Sequence, residues 1–371
     1  MIIYYFGSDG AWEDQNETNI RRRNYAILFA LSKHENVTHV YNIVRCTRSL
    51  VFKNIFKRKP KNQIIKNIYI APILPERTFI GAFSKVFNRW FLKTVNHKAF
   101  YFKEEKCVSW CYWPKGFLDW SYLGITGDMV FDTDHNIIDD PNIPLNRKIE
   151  REDLLLKAGL NAKLILSSSR SMLQWFNKHD LNQTKLVLNG NFIERMRFPL
   201  KKSACKQPQI TYCGTLSKWM KIDWLKRLVE NHAEWEFHII GNAYKTDFEK
   251  DFRSYNNVTL YGFLEPNEVS NILQITDVAL GLYTENPALD VNSMKLYDYL
   301  LNGVAIVINN YHNKLEVDFN GLISIANSFE DFELAVESAI QLNVNKKDLQ
   351  TFLQNTTWEA RIKPILNILN D

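Results

Sequence analysis

The 371-residue sequence holds no apolar run that approaches the roughly 18 residues of a membrane-spanning helix. Its start, MIIYYFGSDG, has neither a basic leader nor a small-residue cleavage site, so no secretory signal is expected there. The five cysteines are odd in number and lack framework spacing, which argues against a disulfide scaffold and for a reducing compartment. Cys107 and Cys111 have no second pair to complete a zinc site. The turn after the first apolar run, Gly7-Ser8-Asp9-Gly10, is not the glycine fingerprint of a dinucleotide site. No helix-turn-helix, RNA-recognition or zinc-finger pattern is present, so the positive charge is not assigned to nucleic acid.

What the chain does have is 46% hydrophobic residues, enough to bury the cores of two ordinary domains. Its charge is uneven. Residues 45–106 hold 15 Lys and Arg against 3 Asp and Glu, a net of +12, while the whole chain is +5 and the remainder therefore −7. A basic segment of that size implies an anionic partner. Within it, Phe79–Lys98 spaces Phe79, Ile80, Phe83, Val86, Phe87, Trp90 and Phe91 as one helical stripe, with Lys85, Arg89 and Lys93 off it. Two readings fit: a core-facing helix with a solvated back, or an interfacial helix on a membrane.

Ile2–Phe6 reads as a first buried strand, followed by a helix capped by Thr18 or Asn19 and running to about Lys33. Arg21, Arg22 and Arg23 fall in its first turn, where cations oppose the helix dipole. With Gly7 they form either an acceptor-phosphate contact or a solvated charge run. Met129–Phe131 is a strand that ends in Asp132-Thr133-Asp134-His135. Acids at a strand's carboxyl end face the ligand crevice of an open α/β sheet, where one can act as a general base. Asp134 is the first candidate, then Asp132, then His135. The same letters spell a metal-binding Asp-x-Asp, which would place a divalent ion on a donor diphosphate.

Residues 199–208 lack periodicity and read as a linker, placed at 201–208. Beyond it, strands beginning near Ile210, Glu236, Val258, Asp277 and Val304 alternate with helices, which predicts a parallel sheet. The stretch Asp277–Asn309 reads as strand, loop, helix, strand. Ser293 stands at an N-cap and Gly303 at a C′ position. Free N–H groups at that helix start favour phosphate, Lys295 adds a full charge, and Asp298 can accept bonds from sugar hydroxyls. Phosphate and hydroxyls side by side point to a nucleotide sugar.

Ser293-Met294-Lys295-Leu296 resembles the donor motif of the xanthan-type glucuronosyltransferase. Lys295-Leu296-Tyr297-Asp298-Tyr299-Leu300 with Gly303 and Val304 resembles the signature of exopolysaccharide and teichuronic-acid glycosyltransferases of the GT-B class. Two departures stand out: Asp298 replaces Glu, and the Glu-x7-Glu pair of retaining members is here Asp290 and Asp298. The resemblance implies an α/β GT-B fold of two Rossmann-like domains with parallel sheets facing a central cleft. It places the acceptor domain at 1–200, the nucleotide-sugar domain at 209–350, and a helix at 351–371 that crosses back to the first domain.

By the same resemblance the donor contacts are Gly214 and Thr215 after the first strand of the second domain, Gly241 after its second, Glu265 or Glu268 at the helix that follows the third, and Asp290, Ser293, Met294, Lys295 and Asp298. Lys218 and Lys221 read either as phosphate contacts or as surface lysines, and Tyr283 either as a contact to base or diphosphate or as an ordinary buried tyrosine. The implied reaction moves a sugar from a UDP-sugar to a lipid-linked or growing surface glycan. It needs no metal and no cofactor beyond the donor, and inverts the anomeric centre with an Asp base. The retaining course through Asp290 and Asp298, an epimerase and a non-catalytic donor-binding partner remain as alternatives. The expected location is the cytoplasmic face of the inner membrane, bound peripherally to its anionic surface.

Overall fold

Short β-branched and aromatic runs alternate with helices along the chain and build two separate parallel sheets. The structure, a computed structural model, describes residues 1–7, 22–55, 64–74, 76, 81–96, 100, 105–113, 115–134, 138, 143–197, 207–244, 246–285, 292–310, 319, 321–342 and 344–370. It divides into two units, Met1–Leu188 with Ile362–Asp371, and Asn189–Arg361.

In the first unit the elements run β1 (Ile2–Phe6), α1 (Arg23–Lys33), β2 (His39–Arg45), α2 (Arg48–Ile55), β3 (Ile65–Ile70), α3 (Gly81–Val95), β4 (Cys107–Tyr112), α4 (Lys115–Leu123), β5 (Asp128–Thr133), α5 (Leu145–Asn161), β6 (Leu164–Ser167), α6 (Arg170–Lys178) and β7 (Thr184–Leu186). The strands pair in parallel in the order β3-β2-β1-β4-β5-β6-β7. Chain direction across the sheet reverses between β1 and β4. That reversal opens a crevice at the carboxyl ends of these strands, the place where doubly wound folds bind ligands. β1 is buried on both faces, as a central parallel strand must be.

The second unit continues with β8 (Gln209–Cys213), α7 (Ile222–Asn231), β9 (Glu236–Ile240), α8 (Phe248–Phe252), β10 (Val258–Gly262), α9 (Pro266–Leu273), β11 (Val278–Gly281), α10 (Met294–Leu301), β12 (Ala305–Asn309), β13 (Ile323–Ala326), α11 (Phe329–Gln341) and α12 (Lys346–Asn355). Its sheet order is β10-β9-β8-β11-β12-β13, again parallel, with its switch point between β8 and β11. The last helix, α13 (Trp358–Asn370), runs unbroken through Pro364, where a kink or restart is expected from sequence.

Several boundaries move. Helix α1 begins at Arg23, with Arg22 at the N-cap, so the first-turn placement of Arg22 does not hold; Thr18, Asn19 and Arg21 lie outside the described residues. The basic segment contains a helix and a strand, α2 and β3, that composition alone does not reveal. β13 also escapes the sequence reading, being four residues of modest character. Most of the proposed linker, 201–206, lies outside the described residues.

Helix α3 contradicts the core-facing reading. It buries Gly81, Ser84, Asn88 and Leu92 and turns Phe83, Val86 and Trp90 outward, with Phe87 and Phe91 half-buried; Phe79 and Ile80 lie outside the described residues. Asn88 explains the inversion. Its Oδ1 accepts from the backbone N–H groups of Ile73 (2.9 Å) and Leu74 (2.8 Å), and its Nδ2 donates to Leu74 O (3.1 Å) and Glu76 Oε1 (2.7 Å). Four hydrogen bonds, three of them to loop backbone groups, fix this polar side inward. Replacing Asn88 by Ala should therefore cost on the order of 2–4 kcal/mol, read as a lower urea midpoint, because buried N–H groups lose their acceptor. Phe83→Ser, on the outer face, should change the midpoint little.

Candidate functional site

The switch point of the second sheet is built from three strand ends and one helix start. Gly214 follows β8 and Gly241 follows β9, with φ of +154° and +134°. A Cβ at Gly241 would collide with the Gly214 carbonyl, so the two turns abut as only glycine allows. Gly214 N donates to Ile240 O (2.9 Å) and Gly241 N to Gly262 O (2.7 Å), which ties the turns together.

Lys295 sits in the first turn of α10. Its Nζ lies 4.6 Å from the ring centre of Tyr212 at the end of β8 and 4.6 Å from that of Tyr283 after β11. A side chain at Gly214 would meet the same ammonium at 3.2 Å. Burial pulls the Lys295 pKa down to about 8, and Cys213 opposes this weakly. Among the described residues no carboxylate pairs with it. The two tyrosine faces supply cation–π attraction but no counter-charge. Ser293 occupies the N-cap position without bonding the helix's own N–H groups; it faces the Tyr283 phenol instead. A half-buried cation with no anion beside it among the described residues, at a helix start whose N-cap side chain bonds none of the helix N–H groups, has the charge and donors that suit an anion.

The surroundings hold this geometry. The Tyr283 backbone is clamped by Asn309, whose Oδ1 accepts from Tyr283 N (2.7 Å) and whose Nδ2 donates to Tyr283 O (2.8 Å). The Tyr299 hydroxyl accepts from Cys213 N (2.8 Å) and lies 3.4 Å from Leu280 O, spanning β8 and β11. Tyr297 donates to Asn292 Oδ1 (2.9 Å), and Asn189 bonds Asn292 O. Tyr212, Tyr299 and Asn309 are missed by sequence reasoning, because each reads there as an ordinary core or strand-end residue.

The other predicted donor residues spread out. Thr215 and Lys218 are exposed on the turn after β8, with Lys218 5.4 Å from the Trp219 ring. Glu265 is the N-cap of α9, and its backbone N–H is held by Glu268 (2.8 Å), so this pair forms a capping box. Met294 is half-buried, and Asp298 is exposed, with its charge felt by Arg195. Asp290 lies outside the described residues.

In the first unit, β5 extends to Thr133, two residues beyond the expected end. Asp132 therefore points into the interior. Its Oδ1 pairs with the Arg23 guanidinium at 3.0 Å, and its Oδ2 accepts from Trp110 Nε1 at 3.3 Å. Both members of the pair are buried. Arg23 is thus a structural partner of Asp132 and not a solvated cation, and Asp132 is not free to share a metal with Asp134. Asp134, just past the strand, is half-buried; Tyr112 at the end of β4 donates to its Oδ2 at 2.6 Å, and Ser168 bonds its backbone carbonyl. Burial, and then Asp134, push the Tyr112 phenol far above its usual range, so it remains a donor. Gly7, with φ +106°, packs against the Tyr112 backbone, Arg22 is exposed, and His135 and Arg21 lie outside the described residues.

No family model and no curated protein matches this sequence. Solved structures do match in shape. HepE of Anabaena, solved with UDP and glucose, aligns with TM-score 0.68 at 12% identity over 100% of this chain and 99% of that one. Sucrose-phosphate synthase of Thermosynechococcus elongatus aligns with TM-score 0.70 at 12% identity, over 100% and 98%. A TarM mutant of S. aureus, solved with fondaparinux, α-GlcNAc-glycerol and UDP, aligns with TM-score 0.57 at 13% identity, over 78% and 59%. The fold is GT-B. In this GT-B chain the two doubly wound parallel sheets, each with its own switch point, bear out the expected pair of Rossmann-like domains, and the alternative fold behind the Asp-x-Asp reading is excluded.

Two outcomes follow for stability. Asp132→Ala should destabilise by about 3–5 kcal/mol, because it strands a buried guanidinium, whereas Asp134→Ala should cost much less; urea midpoints compare them. The depressed Lys295 pKa also means that the folded chain binds fewer protons than the unfolded one between pH 8 and the ordinary lysine range. This group's contribution to the stability of the ligand-free protein thus rises with pH across that window. Lys295→Met should stabilise the ligand-free protein at pH 7 by on the order of 1 kcal/mol after discount for partial exposure, read as a higher urea midpoint, and flatten that rise.

Proposed function

We propose that this protein is a glycosyltransferase that moves a sugar from a UDP-sugar to a hydroxyl of a lipid-linked or growing surface glycan. The observation that carries the reading is Lys295: an ammonium held between Tyr212 and Tyr283 at the start of α10, with no carboxylate partner among the described residues. A diphosphate supplies the charge that this position lacks. As the glycosidic bond breaks, negative charge grows on the leaving diphosphate, and Lys295 with the α10 N–H groups stabilises it. That charge is met by protein groups, so the reaction needs no metal and no cofactor besides the donor. Similarity of shape to HepE and TarM, both solved with UDP, supports uridine as the base.

On the acceptor side, Asp134 takes the proton from the attacking hydroxyl, and the product is inverted. Its half-buried place at the end of β5, oriented by Tyr112, suits a general base better than the paired Asp132 does. No helix among the described residues is long and apolar enough to cross a membrane. The glycan is presented at the cytoplasmic face of the inner membrane, to which the enzyme binds from the water side.

The test is a thermal-shift titration with UDP, GDP and ADP, with and without EDTA, on wild type and Lys295→Ala. UDP should stabilise wild type whether or not EDTA is present, and the shift should vanish in Lys295→Ala. UDP affinity should fall about fivefold from pH 8 to pH 9 as free Lys295 loses its proton, and this dependence should be absent in the variant. Stabilisation that requires metal and ignores Lys295 would overturn the reading. Transfer to a lipid-extractable product separates a transferase from an epimerase or a non-catalytic binder. A retained anomeric configuration in that product would remove Asp134 from the role of base.

A further inference from the structure

Helix α3 carries three stripes. Gly81, Ser84, Asn88 and Leu92 face inward. Phe83, Val86 and Trp90 face out, at 65%, 66% and 59% exposed. Between them run Lys85, Arg89 and Lys93; Arg89 bonds the carbonyls of Ser121 and Tyr122, and Lys93 bonds Gly124 O at 3.1 Å. The outer stripe is continuous with a neighbour. Phe87 packs on Trp90 (centroids 5.7 Å) and Phe91 (6.2 Å), and Phe91 meets Phe52 of α2 at 6.1 Å. Phe52 is itself 42% exposed. Lys53 and Lys85 are exposed beside this patch. Glu76 is the sole acid between residues 45 and 96, and it turns inward to Asn88 and to Tyr122 (2.8 Å).

An aromatic face held outward by a buried asparagine is not a failed core contact. A continuous apolar patch of this kind marks an interaction surface. Its chemistry selects the occupant. Cations flank the patch on a segment of net +12, which complements an anionic surface. Phe side chains and one Trp form the outer stripe, the composition of a helix that lies in a membrane interface. We propose that α3, with Phe52 of α2, rests in the headgroup region of an anionic bilayer. Phe83, Val86, Phe87 and Trp90 enter the acyl boundary, and Lys53 and Lys85 meet lipid phosphates. The inference deepens the reading of a membrane-presented acceptor and rests on that reading for its purpose, though not for its test.

The test is co-sedimentation of the full chain with vesicles of phosphatidylcholine alone and of phosphatidylcholine with phosphatidylglycerol. Wild type should bind the anionic vesicles, weakly at high salt, and the neutral ones poorly. The double variant Phe83→Ser/Trp90→Ser should bind at least tenfold more weakly, with an unchanged UDP thermal shift that shows it folded. Lys53→Ala and Lys85→Ala should each weaken binding about fivefold, the equivalent of ~1 kcal/mol per cation at an anionic surface. Vesicle binding that the double variant leaves intact overturns the proposal, as does a wild type that ignores anionic vesicles. A wild-type dimer in light scattering that this variant dissolves also overturns it, because a second copy is then the occupant. Absence of a UDP shift in wild type instead counts against the glycosyltransferase reading and leaves vesicle binding to stand by its own result.

Discussion

The second unit is arranged around an unbalanced charge. Burying an ammonium costs free energy unless an anion or strong hydrogen bonds accompany it. Here Lys295 has two aromatic faces and a helix start whose dipole is also positive. The folded protein carries that cost, which an anion at this place would offset. Such a site binds because it is unsatisfied, and a local drop in lysine pKa is the mark of that. The glycine turns after β8 and β9 and the clamp of Asn309 on Tyr283 keep the neighbourhood from collapsing onto the charge.

The first unit solves the opposite problem. Arg23 and Asp132 are buried together and balance each other's charge within the fold. What separates Asp132 from Asp134 is the end of the strand. Two residues apart they would share one face of a continued β5, but the strand ends at Thr133, so Asp132 is held inside the sheet and Asp134 lies just past it, half-buried.

Much of this was legible in the sequence. Strand and helix alternation after residue 209, the loop-to-helix start at Ser293 and the lysine in its first turn follow from local propensity and capping rules, which need no knowledge of distant partners. The aromatic period of α3 was legible too, but its direction was not. Periodicity says that a helix has two faces; which one is inside depends on partners such as Ile73 and Leu74, whose N–H groups Asn88 satisfies. Long-range pairing also hid Arg23–Asp132, 109 residues apart, and the Tyr212 face over Lys295. The capping role of Glu265 was hidden as well, because it depends on the helix beginning at Pro266 and on Glu268 reaching back to it.

Tyr299 has a mechanical consequence. β8 and β11 are in register only from Ile210 to Tyr212, so Cys213 has no partner on β11, and the Tyr299 hydroxyl supplies one. Leu296 and Leu300, on the same helix, are fully buried in the adjoining core. Helix α10 is therefore indexed to the sheet by a polar stitch and an apolar seat within about one turn of Lys295. It cannot rotate or slide without unpairing a strand end. The ammonium's anchor on the sheet is therefore fixed, and any selectivity at this place has to come from groups that approach it, not from movement of the helix that carries it.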